Sequence, residues 1–370
     1  TSAGHGLSNG DEIFVSSVGG MTELNTRNYR LANVTTDTFT LTDLFGAAID
    51  TTNFTTYTSG GTAEEVFNIA TPYPEAVLPD LRFVQSADTM FIVHPLHEPR
   101  KLTRTDHTAW TFSTITFVDG PYLDVNTTTT TLNPNANSGT GVALVASTNL
   151  FAATDVGRLV SLPGGNATIT AFTDAQNVTV TINDTLSATT ATTNWALGAF
   201  SNTTGFPSVV TFFEQRLIFG ATTNEPQSLF MSKSGDFENF TAGTADDSAI
   251  VFQIASNRVN SIRYLAATRV LTIGTSGGEY VLSTTNDGPI TPTNAQIRKY
   301  SNYGTANVEP VQVADVTLFL QRAKRKFREF KYAGEINASG YAAADMSILS
   351  EHITLGGITD VAYQQEPDSI

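Results

Sequence analysis

An all-β fold is expected for this chain, with β-propeller-type blades and two small inserted or appended β modules. Short β-branched and aromatic runs alternate with turn residues, which is typical of antiparallel strands. The pattern recurs at intervals of about fifty residues, a period typical of propeller blades. Helical spacing is rare, and its best example is Tyr341 to Ile353, for which we predict a helix.

The repeat is clearest from Val209 to Phe240, where three apolar runs are separated by polar turns. Similar units begin at Leu81, Ser261 and Val311, and the opening of another follows at Ile358. The interval between the unit at Leu81 and the unit at Val209 exceeds one blade by about eighty residues, a size that suits an inserted small domain. We therefore predict four regions: a small β module at 1–62, a first blade at 63–121, an inserted β domain at 122–201, and further blades at 202–370, the last incomplete.

Both ends of the chain have the character of internal sequence. The first residue is Thr1 and not an initiator methionine, and the unit that begins at Ile358 has only one predicted strand before Ile370. A blade without its inner hairpin would leave unpaired strand edges. We expect the chain to be an internal part of a longer polypeptide.

The composition excludes several kinds of site. The chain has 370 residues, no cysteine and a formal net charge of −15. Without cysteine there are no disulfides, thiolate metal sites or cysteine nucleophiles. An acidic chain lacks the cations that sequence-independent binding of nucleic acid requires. A channel that passes DNA without holding it would, however, benefit from few phosphate contacts. Solubility alone is the alternative explanation of the charge.

Membrane insertion is not expected. The sequence contains no apolar stretch of the roughly eighteen residues that a membrane span requires. It also has no N-terminal signal segment, in which a basic region precedes an apolar one.

His94, His97 and His107 are the candidates for a metal site, because the spacing H-x-x-H occurs among zinc ligands. Pro95 and Pro99 exclude the regular helix that would place two imidazoles on one face. We therefore predict a blade turn with solvated histidines, and no metal or cofactor.

Neighbouring carboxylates could suggest glycoside hydrolysis, which needs two carboxyl groups on either side of a sugar bond. The same pairs are expected of a solvated acidic surface. Since no pair stands out, we predict no catalytic residues and no enzymatic activity. The pairs are Asp236 with Glu238, Asp246 with Asp247, and Asp119 with Asp124.

Two glycine-containing segments have architectural explanations. Residues 274–278 follow a predicted strand, as a phosphate-binding loop would, but residues 279–282 continue as a strand where such a loop needs a helix. We predict a hairpin turn there. Residues 232–236 with Phe240 loosely resemble the aspartate-box turn of sialidase-like propellers, which is itself architectural and favours blades.

One segment, residues 322–331, concentrates positive charge. If it forms a strand, Lys324, Lys326 and Arg328 share one face and could contact an acidic neighbouring subunit or passing DNA. The alternative is a charged edge strand that is protected against aggregation. The six cations of the segment are Arg322, Lys324, Arg325, Lys326, Arg328 and Lys331.

Several segments resemble those of phage and prophage tail proteins of the tubular, or nozzle, type found in short-tailed phages. They are DLRFVQSAD at 80–88, DGPYL at 119–123, FEQRL at 213–217 and DVAYQQEP at 360–367. The opening GHGLSNGD at 4–11, with MTELN at 21–25, is similar to a small β module of those proteins that is named for its likeness to part of ubiquitin-activating enzymes. Because the chain has no cysteine, ubiquitin chemistry is not implied.

This resemblance implies a propeller-based structural protein in the distal tail of a virion, assembled in the bacterial host cytoplasm. It implies a homo-oligomeric ring with sixfold symmetry, through which genome DNA passes during ejection. It also implies contacts with other tail proteins, such as the adaptor and the fibres, and with the host surface.

The alternative that the sequence leaves open is a carbohydrate-binding or depolymerising surface protein that recognises host polysaccharide. Exposed tryptophan or tyrosine platforms would favour it, because such rings combine an apolar face with a polar tip. The two tryptophans, Trp110 and Trp195, both lie in predicted strands.

Overall fold

The computed structural model describes residues 3–255, 260–285, 288–334 and 340–366. The chain divides into two compact units. The first comprises Thr1–Pro72 with Asp106–Trp110, and the second comprises Tyr73–Thr105 with Thr111–Ile370.

The first unit contains a four-stranded antiparallel sheet. Its strands are β1 (Glu12–Gly19), β2 (Arg27–Ala32), β3 (Thr40–Thr42) and β4 (Ser59–Glu65), in the order β3-β2-β1-β4, and a short 3-10 helix spans Thr22–Leu24. Alternate residues of β1 and β2 point inward, as expected when one face of a sheet is buried. The buried residues are Ile13, Val15, Val18, Tyr29 and Leu31.

The first sheet of the second unit, blade 1, is a four-stranded antiparallel meander. A 3-10 helix at Glu75–Asp80 precedes it. The strands follow one another in sheet order and are β5 (Arg82–Ser86), β6 (Thr89–His94), β7 (His97–Asp106) and β8 (Ala109–Thr114).

The next strands form the inserted domain, a six-stranded sheet with its own core. The strands are β9 (Leu132–Pro134), β10 (Gly139–Ala146), β11 (Leu159–Leu162), β12 (Gly165–Asp174), β13 (Asn177–Ile182) and β14 (Ala196–Leu197), and a 3-10 helix spans Ala153–Asp155. They pair with one another in the order β14-β11-β12-β13-β10-β9. The core includes Leu132, Leu144, Val160 and Val180, none of which has exposed surface.

Three further meanders follow, each with its four strands in chain order. Blade 2 consists of β15 (Val209–Phe213), β16 (Arg216–Gly220), β17 (Ser228–Met231) and β18 (Ile250–Gln253). Blade 3 consists of β19 (Ile262–Ala267), β20 (Leu271–Thr275), β21 (Gly278–Thr284) and β22 (Ala295–Ser301). Blade 4 consists of β23 (Val311–Val313), β24 (Val316–Leu320), β25 (Phe327–Gly334) and β26 (Gly340–Asp345).

Successive blades pack face to face through apolar clusters. The ring of Phe91 in blade 1 lies 5.9 Å from that of Phe212 in blade 2, and Ile218 of blade 2 shares one apolar cluster with Ile273 of blade 3. A third cluster joins blade 3 to blade 4 and includes Tyr264, Val281, Phe319 and Phe330. Because the inner strands contribute to a core on both faces, they are mostly apolar, and β16 and β20 are buried along their whole length. The predicted all-β fold with propeller-type blades is confirmed.

The predicted helix from Tyr341 to Ile353 is wrong. Tyr341 to Asp345 belong to β26, which pairs with β25 in register Tyr332↔Tyr341 to Arg328↔Asp345. The following residues form successive turns, in which the N–H groups of Ser350 and Ile353 donate to carbonyls three residues earlier. Pairing with a neighbouring strand satisfies the backbone of 341–345 and overrides the helical spacing of the side chains.

The strand predicted from Ile358 is also not seen in the part of the chain that the structure describes. Ile358 and Val361 pack instead against Ala306, Val308 and Leu320 beside blade 4. No helix among the described residues is long and apolar enough to cross a membrane.

Candidate functional site: the basic turn and the apolar segment

The segment predicted as a cationic strand face is divided by the fold. β25 begins only at Phe327, so Lys324 and Lys326 precede the strand. Lys324 has a φ of +59° in the turn between β24 and β25. The expectation that Lys324, Lys326 and Arg328 share one strand face is therefore wrong.

Arg328 is buried between blades 3 and 4. It is 7% exposed, and its guanidinium lies 3.5 Å from the ring centroid of Tyr303. Its Nε donates to Oε1 of Gln321 at 2.9 Å, and its Nη1 donates to the carbonyl of Ala343 at 2.8 Å. A guanidinium that stacks on an aromatic ring and donates to fixed acceptors is held in place, so Arg328 has a structural role.

Two further cations of the segment have carboxylate partners. Nζ of Lys326 lies 2.8 Å from Oδ2 of Asp345 and 3.0 Å from Oε1 of Glu351. These hydrogen bonds raise the pKa of Lys326 and hold the pKa of Asp345 below its usual range. Nζ of Lys331 lies 2.9 Å from Oε2 of Glu329, two residues away on the same strand face.

The remaining cations, Arg322, Lys324 and Arg325, are exposed and have no ion-pair partner among the described residues. We call residues 322–325 the basic turn. Its backbone is held by two hydrogen bonds: the N–H of Lys324 donates to the carbonyl of Gln321 at 2.7 Å, and the N–H of Arg322 donates to the carbonyl of Gly304 at 2.9 Å. Of the six predicted contact residues, these three keep a free cationic group at the surface.

An exposed apolar segment, residues 346–355, lies beside the basic turn. The hydroxyl of Thr354 donates to the carbonyl of Arg325 at 2.7 Å, and the N–H of Ile358 donates to the carbonyl of Lys324 at 2.8 Å. Five large apolar side chains of this segment are at least half exposed: Met346 50%, Ile348 68%, Leu349 91%, Ile353 74% and Leu355 64%. Sequence reasoning missed this surface, because it assigned residues 341–353 to a helix and did not consider which of their side chains would be exposed.

Arg216 joins blade 2 to blade 3. It is 1% exposed, and its guanidinium donates to the carbonyls of Ser232, Asp246 and Ser248, each at 2.7 Å. A longer contact of 3.4 Å reaches the carbonyl of Ile290, between β21 and β22. Burial lowers the pKa of the guanidinium, and nearby carboxylates oppose that effect.

The turn before Arg216 makes a second link to blade 3. Glu214 and Gln215 have φ of +46° and +59°, which places two non-glycine residues in the left-handed region that tight hairpin turns require. The Glu214 carboxylate accepts a hydrogen bond from the N–H of Ile290. The FEQRL motif at 213–217 is therefore an interblade connection, which sequence analysis did not predict.

A buried polar group also lies between blades 3 and 4. Tyr264, Gly274 and Glu279 are lateral neighbours across β19, β20 and β21. A β-carbon at Gly274 would lie 2.1 Å from Cε1 of Tyr264, so the glycine leaves the space that the tyrosine ring occupies. Oη of Tyr264 and Oε1 of Glu279 are buried without a hydrogen-bond partner among the described residues.

The environment of Glu279 disfavours its charged form. Burial raises the pKa of Glu279 to about 7, while the Tyr303 N–H, Arg328 and Lys299 oppose this shift. The Ser301 hydroxyl donates to its other carboxylate oxygen. The group is fully buried, so substrate cannot reach it, and its effect is on the stability of the interface.

The histidines predicted as solvated turn residues differ in exposure. His94 and His97 are paired at the end of the β6–β7 hairpin, with ring centroids 5.1 Å apart, but His94 is only 2% exposed. Burial lowers the pKa of His94, and His97 adds to this effect. Across the described ranges, no group of three or more His, Cys, Asp or Glu side chains is arranged to hold a metal ion.

The carboxylate pairs considered for hydrolysis have other partners. Glu238 pairs with Lys101 at 2.5 Å, and Asp247 pairs with Lys233 at 3.2 Å. Asp119 accepts a hydrogen bond of 2.6 Å from the hydroxyl of Tyr122, at the root of the inserted domain. These contacts fix loops between blades and at the insertion.

Residues 274–278 form the predicted hairpin turn, with Thr275 paired to Gly278 between β20 and β21, and that prediction is confirmed. In the segment that resembles an aspartate box, the Ser232 hydroxyl accepts a 3.0 Å hydrogen bond from the N–H of Leu217. The role of this serine is architectural.

Comparisons with known proteins agree with one part of the sequence analysis. Residues 1–66 match the family described as the ubiquitin-activating enzyme E1 FCCH domain, which confirms the predicted resemblance of the N-terminal module. No curated protein matches the chain.

Among solved structures, the chain is similar to Hsv2 of Kluyveromyces lactis, with 7% identity over 83% of this chain and 91% of that chain and a TM-score of 0.23. It is also similar to the endosialidase of phage phi92, with 10% identity over 92% of this chain and 54% of that chain and a TM-score of 0.25.

Proposed function

We propose that this chain is a structural component of a phage tail, a subunit of the distal tubular or nozzle ring that forms a conduit for genome ejection and a platform for other tail proteins. In this proposal it acts in the virion, after assembly in the bacterial cytoplasm, and has no catalytic activity. Its partners are further copies of itself, the adaptor, the fibres, the host surface and, transiently, DNA.

The observation that carries this proposal is the location of the segments that resemble tubular tail proteins. FEQRL at 213–217 supplies Glu214 and Arg216, which join blades 2 and 3. DGPYL at 119–123 supplies the Asp119–Tyr122 hydrogen bond at the root of the insertion. Residues shared for architectural reasons favour a rigid scaffold over an active site.

The charge of the chain fits a conduit wall. With a net charge of −15, the surface offers DNA few phosphate contacts, so the duplex can pass without being held. The basic turn contributes only three exposed, unpaired cations among the described residues.

The test is to image tails that contain this chain. A gold-binding tag inserted after Thr189, in the exposed loop between β13 and β14, should place label on a ring at the distal end of the tail tube, whereas tag-free particles should remain unlabelled. The purified chain should neither retain duplex DNA at physiological salt nor hydrolyse polysaccharide, peptidoglycan or nucleotides. Label confined to fibres, or reproducible hydrolysis abolished by one acidic substitution, would contradict the proposal.

A second candidate function, recognition of host polysaccharide, is favoured by a tyrosine cluster on blades 3 and 4. The ring of Tyr341 lies 5.0 Å from that of Tyr300 and 5.3 Å from that of Tyr332. Tyr332 is 62% exposed and offers the kind of ring face on which sugars stack. Binding of the chain to a glycan array, lost in Tyr332→Ala and kept in Tyr57→Ala, would support this candidate.

A further inference from the structure

We propose that the apolar segment and the basic turn together form a docking surface for a second copy of this chain, and that they contact the acidic turns of blade 2 in that copy. The inference deepens the ring assembly described above and rests on that proposed function. The acidic turns are defined by Glu214, Asp236, Asp246 and Asp247.

The apolar segment is too concentrated to be ordinary surface. Single exposed apolar residues are common on proteins, whereas contiguous exposed patches mark contact sites. Here five aliphatic side chains within ten residues are at least half exposed, and Leu349 is 91% exposed. Beside them lies a cavity of about 330 Å³, lined in part by Phe327, Ile353 and Val361.

The segment is presented in a fixed conformation. The Ser347 hydroxyl donates to Oδ1 of Asp345 at 2.8 Å and accepts from the N–H of Phe327 at 3.2 Å. Glu351 is tied to Lys326 at 3.0 Å, and Thr354 to the backbone of Arg325 at 2.7 Å. An ordered surface loses little conformational entropy when it binds.

Charge indicates which partner fits. The cations of the basic turn border the apolar segment and complement an acidic surface, and the exposed acidic turns of blade 2 offer such a surface on another copy. Within that copy the acidic turns lie side by side, because the N–H of Gly235 donates to the carbonyl of Gln215 at 2.8 Å and the N–H of Ser234 donates to the carbonyl of Asp247 at 3.0 Å. Among them, Lys233 neutralises only Asp247.

The two surfaces lie at opposite ends of the blade strands. Glu214, in the turn between the first and second strands of blade 2, contacts Ile290, between the third and fourth strands of blade 3. At the turn between the second and third strands of blade 3, the carbonyl of Thr275 accepts a hydrogen bond from the N–H of Thr305. The carbonyl of the adjacent Gly304 accepts one from the N–H of Arg322, in the basic turn. Since alternate turns of a meander lie at opposite ends, the basic turn and the acidic turns cannot meet within one copy.

A contact between two different surfaces is heterologous, and it generates rings when the rotation closes. The geometry therefore predicts association that continues beyond a pair. It also predicts that a copy with both surfaces acidic cannot bind itself but can bind a copy with both surfaces basic.

The test measures association of the 370-residue chain by sedimentation velocity from low- to high-micromolar concentration. We expect concentration-dependent oligomers, lost in Leu349→Ser/Ile353→Ser. Reversal of the basic turn in Arg322→Glu/Lys324→Glu/Arg325→Glu should raise the concentration required about tenfold or more, as should Asp236→Lys/Asp246→Lys/Asp247→Lys. Mixing the two charge-reversed proteins should restore association.

A control matched to reversal of the basic turn, Arg27→Glu/Arg30→Glu/Arg298→Glu, changes the net charge by the same amount at other exposed positions and should leave association unchanged. Circular dichroism checks that each variant is folded. A wild-type chain that stays monomeric, association that resists either set of changes, or a mixture that stays monomeric would overturn the inference. Label on the tail ring combined with any of these results would reject the docking surface while the proposed function stands.

Discussion

Arg216 donates a 2.7 Å hydrogen bond to the carbonyl oxygen of Ser248, and no carboxylate lies within ion-pair distance of this buried guanidinium in the described ranges. Its partners are backbone carbonyls from two loops, the connection between β17 and β18 and a loop of the next blade. A charge that is solvated by fixed backbone dipoles locks those loops in one arrangement.

We predict that Arg216→Met lowers the free energy of unfolding by about 3 kcal/mol or more, because several buried carbonyls lose their donor. Urea denaturation measures the loss, and hydrogen exchange should show it in the loops at 232–248 and 288–294. Arg298→Met, at an exposed position, should change stability by less than about 0.5 kcal/mol. Equal effects of the two changes would contradict a role for the buried guanidinium.

Glu279 predicts a pH dependence of stability. Its pKa in the folded protein is raised to about 7 from an ordinary value of 4.5. A raised folded pKa means that the stabilisation is fully present below the unfolded pKa and is lost as pH rises through the folded pKa. The loss between these values is about 3 kcal/mol, since one pKa unit corresponds to about 1.4 kcal/mol.

The corresponding variant is Glu279→Gln, which keeps the shape and removes the charge. Its free energy of unfolding should be nearly constant from pH 4.5 to above 7, and above pH 7 it should exceed that of the wild type. Exposed Glu75→Gln should retain the wild-type slope. A wild-type slope in Glu279→Gln would show that another group causes the dependence.

Gly274→Ala tests the packing of Tyr264 over β20. The added β-carbon would lie 2.1 Å from the tyrosine ring, so the ring must move, and overpacking of this kind costs about 1–3 kcal/mol. Gly356→Ala, where a β-carbon meets nothing within 4 Å, is the control and should be neutral or slightly stabilising. The melting temperature of Gly274→Ala should lie several degrees below that of Gly356→Ala, and the reverse order would refute the packing argument.

Asp155→Ala tests the inserted domain. Asp155 and Arg158 form a 2.8 Å ion pair with 2% and 4% of their side chains exposed. Removal of one partner leaves an uncompensated buried charge and should cost about 3–5 kcal/mol. Hydrogen exchange should rise in β11 and β12 and stay unchanged in blades 3 and 4, whereas a uniform rise would show that the domains unfold together.

The strands of the blades could be predicted from the sequence, because runs of β-branched and aromatic residues and the turn residues between them are local signals. The run from Val209 to Phe213 and the hairpin at 274–278 are examples, and both are present in the structure. It failed at Tyr341 to Ile353, where alanine and methionine spacing suits a helix but pairing with β25 decides the structure.

The interblade contacts could not have been predicted for a related reason. Arg216 bonds to carbonyls far away in sequence, and carbonyls carry no side-chain signature. The burial of Arg328 likewise depends on Tyr303 in the connection from the preceding blade. The cationic run was visible in the sequence, but which cations stay free is decided by tertiary packing.

The chain enters and leaves the inserted domain at adjacent positions. The N–H of Ala199 donates to the carbonyl of Pro121 at 2.8 Å and the N–H of Leu123 donates to the carbonyl of Leu197 at 2.9 Å, so the two connecting segments run side by side. With entry and exit adjacent, the chain between them can lengthen, shorten or be exchanged for an unrelated domain without altering the register of any blade. The insertion can thus be exchanged as a unit, while the packing between blades maintains the scaffold on its own.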